Sequence, residues 1–238
     1  MCERSVDSTT IHLTFDQALE AVCRDLRQYE PQVLLMCEIM RVLSGSESIV
    51  QRDADGKGVW LSSGGRDNPQ WFDNAELPEL VCRWLNARGA EPSLLEAVCS
   101  RVFQTRVRRA VDPKSGCSGF AIDTGMEGFA CRQCGQCCRN LDYRNEVTAE
   151  DVQRWKEAGR RDILKWVGTA RRPDGRRAYQ IWVVPGTNRF AEVCPFLRHR
   201  SARNRWVCRI HEVKPAICRN YPVSRKHGLM TGCRGFET

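Results

Sequence analysis

The residues in this chain with the clearest chemistry are four cysteines within eight positions. Cys131, Cys134 and Cys137 follow a Cys-x2-Cys-x2-Cys spacing, and Cys138 comes directly after them. This spacing lets one looping segment offer three thiolates to a single centre, and Gly135 supplies the backbone freedom that tight wrapping needs. The run therefore predicts a metal site or, as the alternative, a disulfide staple.

Four more cysteines follow the run and bring the set of candidate metal ligands to eight. The set is Cys131, Cys134, Cys137, Cys138, Cys194, Cys208, Cys218 and Cys233. Bacterial ferredoxins combine Cys-x2-Cys-x2-Cys with a Cys-Pro, and Pro195 follows Cys194 here, so the pattern favours a [4Fe–4S] iron–sulfur cluster. Zinc is the alternative, because thiolates suit both metals and spacing alone does not choose. Eight thiolates could form two four-ligand sites, one shared polynuclear site, or one site with reactive cysteines to spare.

The composition is that of a folded protein with one large domain or two small ones. The chain has 238 residues, of which 42% are hydrophobic and 28% are charged. The apolar run 32–37 is far too short to span a membrane, and the polar N-terminus shows no secretory signal. We therefore expect a cytoplasmic protein without a membrane partner. In a reducing compartment, fourteen cysteines favour metal binding over a disulfide framework.

The net charge of +8 is unevenly distributed along the chain. Residues 1–130 contain 14 Lys and Arg against 19 Asp and Glu, whereas residues 131–238 contain 23 against 10. The basic half either offers a surface to nucleic acid or another acidic partner, or offsets the negative charge of clustered thiolates. The second interpretation is favoured, because no aromatic–basic repeat accompanies the charge.

Hydrophobic periodicity predicts a mostly helical N-terminal region with one hairpin. The predicted elements are two helices within residues 14–43, a hairpin over 48–62, and helices over 77–87 and 92–108. Four cysteines on or beside the apolar stripes of these helices are interpreted as core residues, namely Cys23, Cys37, Cys82 and Cys99. The turn-forming residues 112–116 predict a boundary between a region 1–112 and a cysteine-cluster domain 117–238.

The second half is predicted to be short on regular structure and organised by metal. Thr148 and Asp151 make a capping-box-like helix start, with Asp in place of the usual Glu or Gln. A second short helix is predicted over 161–167, with strands over 179–184 and 205–210. The predicted fold class is thus α+β, with a helical N-terminal region and a small, loop-rich C-terminal domain.

The cysteine blocks resemble a known family. Residues 129–138, with the sequence FACRQCGQCC, resemble the signature of the CxxCxxCC proteins, also called the YkgJ-type cysteine-cluster family. Residues 194–197 resemble its CPFL element, residues 208–222 resemble its C-x-I-Y-x-x-R-P-x-x-C-R-x-F-P element, and Cys233 resembles its closing cysteine. The departures are His211 for Tyr, Lys214 for Arg and Tyr221 for Phe, and none replaces a cysteine.

The resemblance covers about residues 117–238 and implies a zinc- or iron-chelating centre with the eight cysteines as ligand candidates. Members of the family are often labelled Fe–S oxidoreductases, and a relative, the flagellin lysine N-methylase, shares the cysteine motif. Arg139 and Arg219 directly follow cysteines, so they are candidate cofactor-binding residues that could hydrogen-bond cluster sulfurs. Charge neutralisation is the alternative role for both.

Three functions are compatible with these residues. The first is a metalloprotein in electron transfer or metal handling, working with an unknown protein or redox partner. The second is an enzyme, either a redox enzyme or a protein lysine methylase, although neither a Gly-rich nucleotide loop nor a recognisable S-adenosylmethionine site is present. The third is a zinc-stabilised interaction or nucleic-acid-binding module. The sequence leaves open whether the protein is an enzyme.

Overall fold

The computed structural model describes residues 5–6, 9–29, 32–44, 49–62, 68–87, 91–140, 147–171, 175, 177–201 and 205–237. The chain divides into two compact units, Met1–Met126 and Glu127–Thr238. Both units contain helices and strands, so the predicted α+β class is confirmed. None of the helices in these ranges is long and apolar enough to cross a membrane.

The N-terminal unit is built from two antiparallel sheets and four helices among the described residues. Its elements are β1 (Ser5–Val6), β2 (Thr10–Thr14), α1 (Phe15–Gln28), α2 (Val33–Ser44), β3 (Ile49–Arg52), β4 (Gly58–Ser62), β5 (Gln70–Asp73), α3 (Leu77–Ala87), α4 (Pro92–Phe103), β6 (Val107–Val111) and β7 (Ser118–Asp123). The strand orders are β1-β2-β7-β6 and β3-β4-β5. The predicted hairpin is thus β3–β4, and a third strand that the sequence pattern did not predict completes its sheet.

Local sequence explains how the helices begin and what they bury. Thr14 and Gln17 form a capping box at the start of α1, which satisfies backbone donors that the first helical turn leaves free. Ala18, Val22 and Leu26 then bury one face of α1 at helical spacing. The four cysteines interpreted as core residues all lie in the hydrophobic core of this unit, which confirms that interpretation.

The predicted helix over 92–108 ends early. It stops at Phe103, where Gln104 adopts a left-handed φ of 53°, and the chain continues into strand β6. Arg106 and Arg108, which lie within the predicted helix, are instead 3.9 and 3.6 Å from the Asp123 carboxylate. Pairing of β6 with β7 supplies long-range backbone hydrogen bonds that helical periodicity does not reveal.

The domain boundary lies further along the chain than the turn at 112–116 predicted. That turn joins β6 to β7, and Asp112 stabilises it by accepting hydrogen bonds from the Lys114 amide at 3.1 Å and the Ser115 hydroxyl at 2.6 Å. Strand β7 pairs with both β2 and β6 and so belongs to the first unit. The limits 112 and 117 are therefore replaced by the division between Met126 and Glu127.

The C-terminal unit consists of short elements joined by long connections, as predicted. Its described elements are α5 (Cys137–Asn140), α6 (Ala149–Glu157), α7 (Arg161–Leu164), β8 (Gly168–Arg171), β9 (Arg177–Gln180), β10 (Leu197–Arg200), β11 (Arg205–Cys208), a 3-10 turn (His211–Val213), α8 (Ala216–Arg219) and α9 (Arg225–Met230). Strands β8–β9 and β10–β11 form two antiparallel hairpins. Trp155 is fully buried in the small core that these elements share.

Candidate metal centre

The cysteine loop packs tightly against strand β11. Gln133 and Gly135 both have left-handed backbone, with φ values of 53° and 76°. The Trp206 amide of β11 donates to the Gln133 carbonyl at 2.8 Å. A Cβ atom on Gly135 would lie only 2.9 Å from Cβ and Cγ of Trp206. The loop therefore requires glycine at 135 for its backbone angle and for the close approach of the tryptophan.

Replacing this glycine tests the packing of the loop. We expect Gly135→Ala to lower the free energy of unfolding by more than the roughly 1–2 kcal/mol of a left-handed alanine, because the methyl group also displaces Trp206. The matched control is Gly159→Ala, where φ is 64° but nothing lies within 4 Å of the added Cβ. Chemical denaturation of both variants measures the difference. Equal costs would show that the Trp206 contact is dispensable.

Five cysteines pack together against the core of the C-terminal unit. These inner thiols are Cys137, Cys138, Cys194, Cys208 and Cys218. The adjacent pair at the start of α5 does not point to separate places, since Cys137, Cys138 and Cys194 all pack on the same core. The Cys194 amide also donates to the Cys138 carbonyl at 3.1 Å. The CxxCxxCC run and the Cys-Pro element are thus in direct contact.

The β10–β11 hairpin and helix α8 bring in the remaining inner thiols. Cys208 at the end of β11 lies opposite Leu197 of β10, so the hairpin register places it close to the Cys194 segment. Cys218 lies in the four-residue helix α8. Burial raises the pKa of the Cys218 thiol, and the neighbouring Cys138, Cys137 and Cys208 raise it further. Segments far apart in sequence thus meet at one place.

Three further cysteines, called the outer thiols, lie in the loop or beside it. Cys131 is exposed, whereas Cys134 and Cys233 are partly buried. Burial raises the pKa of Cys233, and the charges of Cys134 and Cys137 add to this effect. Backbone contacts hold the closing segment along the loop, since the Ala130 amide donates to the Gly235 carbonyl at 2.9 Å. All eight cysteines are free thiols, so none forms the alternative disulfide staple.

Four of the inner thiols, namely Cys137, Cys138, Cys208 and Cys218, have a pKa above that of an ordinary cysteine. The hydrogen bond to Cys138 and burial raise the pKa of Cys137. The pKa of Cys138 rises to about 12: its bond to Cys137 lowers it, but the bond to Cys194 and burial together raise it more. These thiols are therefore neutral at physiological pH without metal, and metal binding would release their protons.

The sulfur donors fit a soft metal, although the side chains are not arranged around a single metal position. Within the described ranges, no three His, Cys, Asp or Glu side chains are arranged to hold a metal ion. Thiol sulfur is nevertheless the donor that zinc and iron–sulfur clusters use. The backbones that carry Cys138 and Cys194 are already hydrogen-bonded to each other. Metal ligation would therefore require these side chains to rotate from the positions that they have here.

The two candidate arginines have partners other than sulfur. The Arg139 guanidinium lies 4.2 Å from the centroid of the Trp206 ring, a cation–π contact. Arg219 Nη1 donates to Asp151 Oδ1 at 3.3 Å and to the Lys214 carbonyl at 2.8 Å. Cofactor binding by Arg139 and Arg219 stays a prediction. Sequence reasoning assigned no role at the site to Trp206, since a single tryptophan in a predicted strand carries no signal of what it covers.

The arrangement of these cysteine blocks agrees with a comparison against known families. Residues 130–234 match the family model CxxCxxCC, described as "Putative zinc- or iron-chelating domain". Residues 130–234 are thus similar to this family, and they are called the CxxCxxCC domain below. The match confirms the resemblance and includes all eight candidate ligands. No curated protein and no solved structure matches the chain.

One departure from the family pattern has a visible contact in the CxxCxxCC domain. Tyr221, which stands where Phe is usual, places its hydroxyl 2.5 Å from Thr231 Oγ1. We expect Tyr221→Phe to fold and to lower the free energy of unfolding by about 0.5–1.5 kcal/mol, the usual net value of one hydrogen bond. The control is Tyr179→Phe, since Tyr179 has no side-chain hydrogen bond among the described residues. Urea denaturation compares them, and an unchanged midpoint for Tyr221→Phe contradicts the prediction.

Proposed function

We propose that the CxxCxxCC domain binds an iron–sulfur cluster and acts in redox chemistry or electron transfer. The observation that carries the proposal is the packing of the five inner thiols, from four separate segments, against one core. Among the described residues of the N-terminal core, by contrast, the neighbouring thiols are a single pair, Cys23 and Cys82, which influence each other's pKa. Thiols gathered on one core are the kind of donor that soft metals require.

The number and spacing of the thiols support iron–sulfur over zinc. A structural zinc site takes four ligands, and this domain offers eight cysteines. The adjacent Cys137 and Cys138 both pack against the same core, which suits a polynuclear centre with more than one metal atom. An iron–sulfur cluster would supply one-electron redox chemistry. Zinc held by four of the inner and outer thiols is the alternative.

Aromatic residues of the chain itself limit the access of water to the thiols. Phe196 is two residues from Cys194, and its ring lies 5.0 Å from that of Trp182, centroid to centroid. Trp182 and Phe196 are both buried. Exclusion of water by an apolar shell influences the potential of a metal centre. The exposed Cys131 shows that this shell does not cover the whole motif.

The proposal includes a cytoplasmic location and a redox partner protein. A reducing compartment keeps thiols available as ligands, and every cysteine of the domain is a free thiol. The basic excess of residues 131–238 would favour a partner with an acidic surface.

Metal and sulfide analysis tests the proposal directly. The full chain is purified without oxygen, and iron, zinc and acid-labile sulfide are measured per chain. Iron with a matching amount of sulfide is the expected result. Zinc without sulfide would replace the iron–sulfur proposal by a zinc site, and a chain without either metal, unable to take one up, would overturn both.

A further inference from the structure

A buried carboxylate in the C-terminal unit connects helix α6 to the segment that carries Cys218. Asp151 lies in the first turn of α6, and its side chain is only 1% exposed. The amide of Ala216, the first residue of α8, donates to Asp151 Oδ1 at 3.1 Å and to Oδ2 at 2.9 Å. A carboxylate buried in this way must be satisfied by donors, and here the main donor is the start of another helix.

Two arginines complete the contacts of this carboxylate. Arg154 Nη2 donates to Asp151 Oδ1 at 2.8 Å, and Arg219 Nη1 donates to the same oxygen at 3.3 Å. Both guanidinium groups also donate to the carbonyl of Lys214, at 2.9 and 2.8 Å. Asp151, the two arginines and the backbone at 214–216 therefore form one closed network. Loss of the single anion would leave two cations facing each other.

Helix α8 depends on this network for its position. It contains only four residues, too few to be stable without external contacts. Cys218 lies two residues after Ala216, so the direction of its thiol follows from the orientation of this short helix. We propose that Asp151 is a positioning residue of the metal centre, which holds α8 so that Cys218 faces the other inner thiols. This inference rests on the proposed function.

Capping of helix α6 is a separate role of the same residue, and the two can be distinguished. Asp151 and Thr148 form the capping box of α6, in which the Asp151 amide donates to Thr148 Oγ1 at 3.1 Å. Thr148 has no described side-chain contact with α8. Its replacement would weaken the cap and spare the bonds to Ala216. Thr148→Ala is therefore a matched control for Asp151→Asn.

Cobalt binding gives a readout that helix capping alone would not change. Full-length metal-free protein is titrated anaerobically with Co²⁺, and the thiolate-to-cobalt charge-transfer absorption is recorded. We expect Asp151→Asn to weaken Co²⁺ binding by about 10–100-fold and to reduce the band intensity per bound ion, because one thiolate is misplaced. Thr148→Ala should keep the wild-type affinity and spectrum. Wild-type behaviour of Asp151→Asn, or equal losses in the two variants, would overturn the inference.

Alkylation of the full-length protein as purified tests the position of Cys218 independently of cobalt. The rate of iodoacetamide labelling at Cys218 is followed by peptide mass spectrometry, and we expect it to rise in Asp151→Asn but not in Thr148→Ala. If wild-type protein shows no thiolate–cobalt band and holds neither iron nor zinc, the proposed function fails, while the labelling rates still decide the role of Asp151. If Asp151→Asn does not fold, Asp151→Glu replaces it with the same criteria, since Glu is a common residue at this capping position.

Discussion

Removal of the metal from the intact chain is expected to unfold the CxxCxxCC domain and to leave residues 1–126 folded. The reason is the difference between the two cores. Among the described residues, the N-terminal core contains 26 buried residues, whereas the C-terminal core contains ten. Structural zinc contributes about 10–16 kcal/mol in small metal-binding domains, which is as large as the whole stability of a typical domain. The C-terminal unit has too little apolar burial to replace such a contribution.

Hydrogen exchange followed by mass spectrometry measures this outcome in the full-length protein. After treatment with a chelator, we expect amides around Trp155 and Ile163 to lose protection by several orders of magnitude. Amides around Leu26 and Val98, in the N-terminal core, should keep theirs. The protein before chelation is the reference for both. Retained protection around Trp155 after complete metal loss would show that the C-terminal core folds without metal.

The second large effect is expected from replacing an inner thiol. Cys218→Ser should remove most of the bound metal and destabilise the C-terminal unit, because a serine hydroxyl is a poor ligand for a soft metal and metal binding is coupled to folding. Cys134→Ser should act in the same direction, although Cys134 belongs to the outer thiols. Metal content per chain and thermal unfolding are the two measurements.

The matched control for these variants is a cysteine of the N-terminal core. Cys99 is fully buried in α4, and burial raises the pKa of its thiol to about 12. Cys99→Ser therefore makes the same atomic change in a buried helix, and it should destabilise the N-terminal unit while leaving the metal content unchanged. Equal metal loss in Cys99→Ser and Cys218→Ser would contradict the division between ligand and core cysteines.

Several features of this protein follow from residues close together in sequence. The helix start at Thr148 depends on a side chain three residues away, so the sequence alone predicted it, and the capping box at Thr14 is equally local. The core positions of Cys23 and Cys99 follow from helical periodicity for the same reason. The eight candidate ligands were identified by their type and spacing, and the family match includes all of them. Interactions between residues close together in sequence decide these features.

Other features depend on contacts between distant residues, and only the tertiary structure decided them. Strand β7 belongs to the N-terminal unit because it pairs with β2, more than a hundred residues earlier, and no local pattern reveals that partner. Asp151 reads in the sequence as a helix cap, yet its carboxylate also binds the Ala216 amide, 65 residues away. The sequence alone identified the residues that are candidates for the chemistry. The tertiary structure determined which of them lie close together, because contacts between segments far apart in sequence produce no periodic pattern of residues.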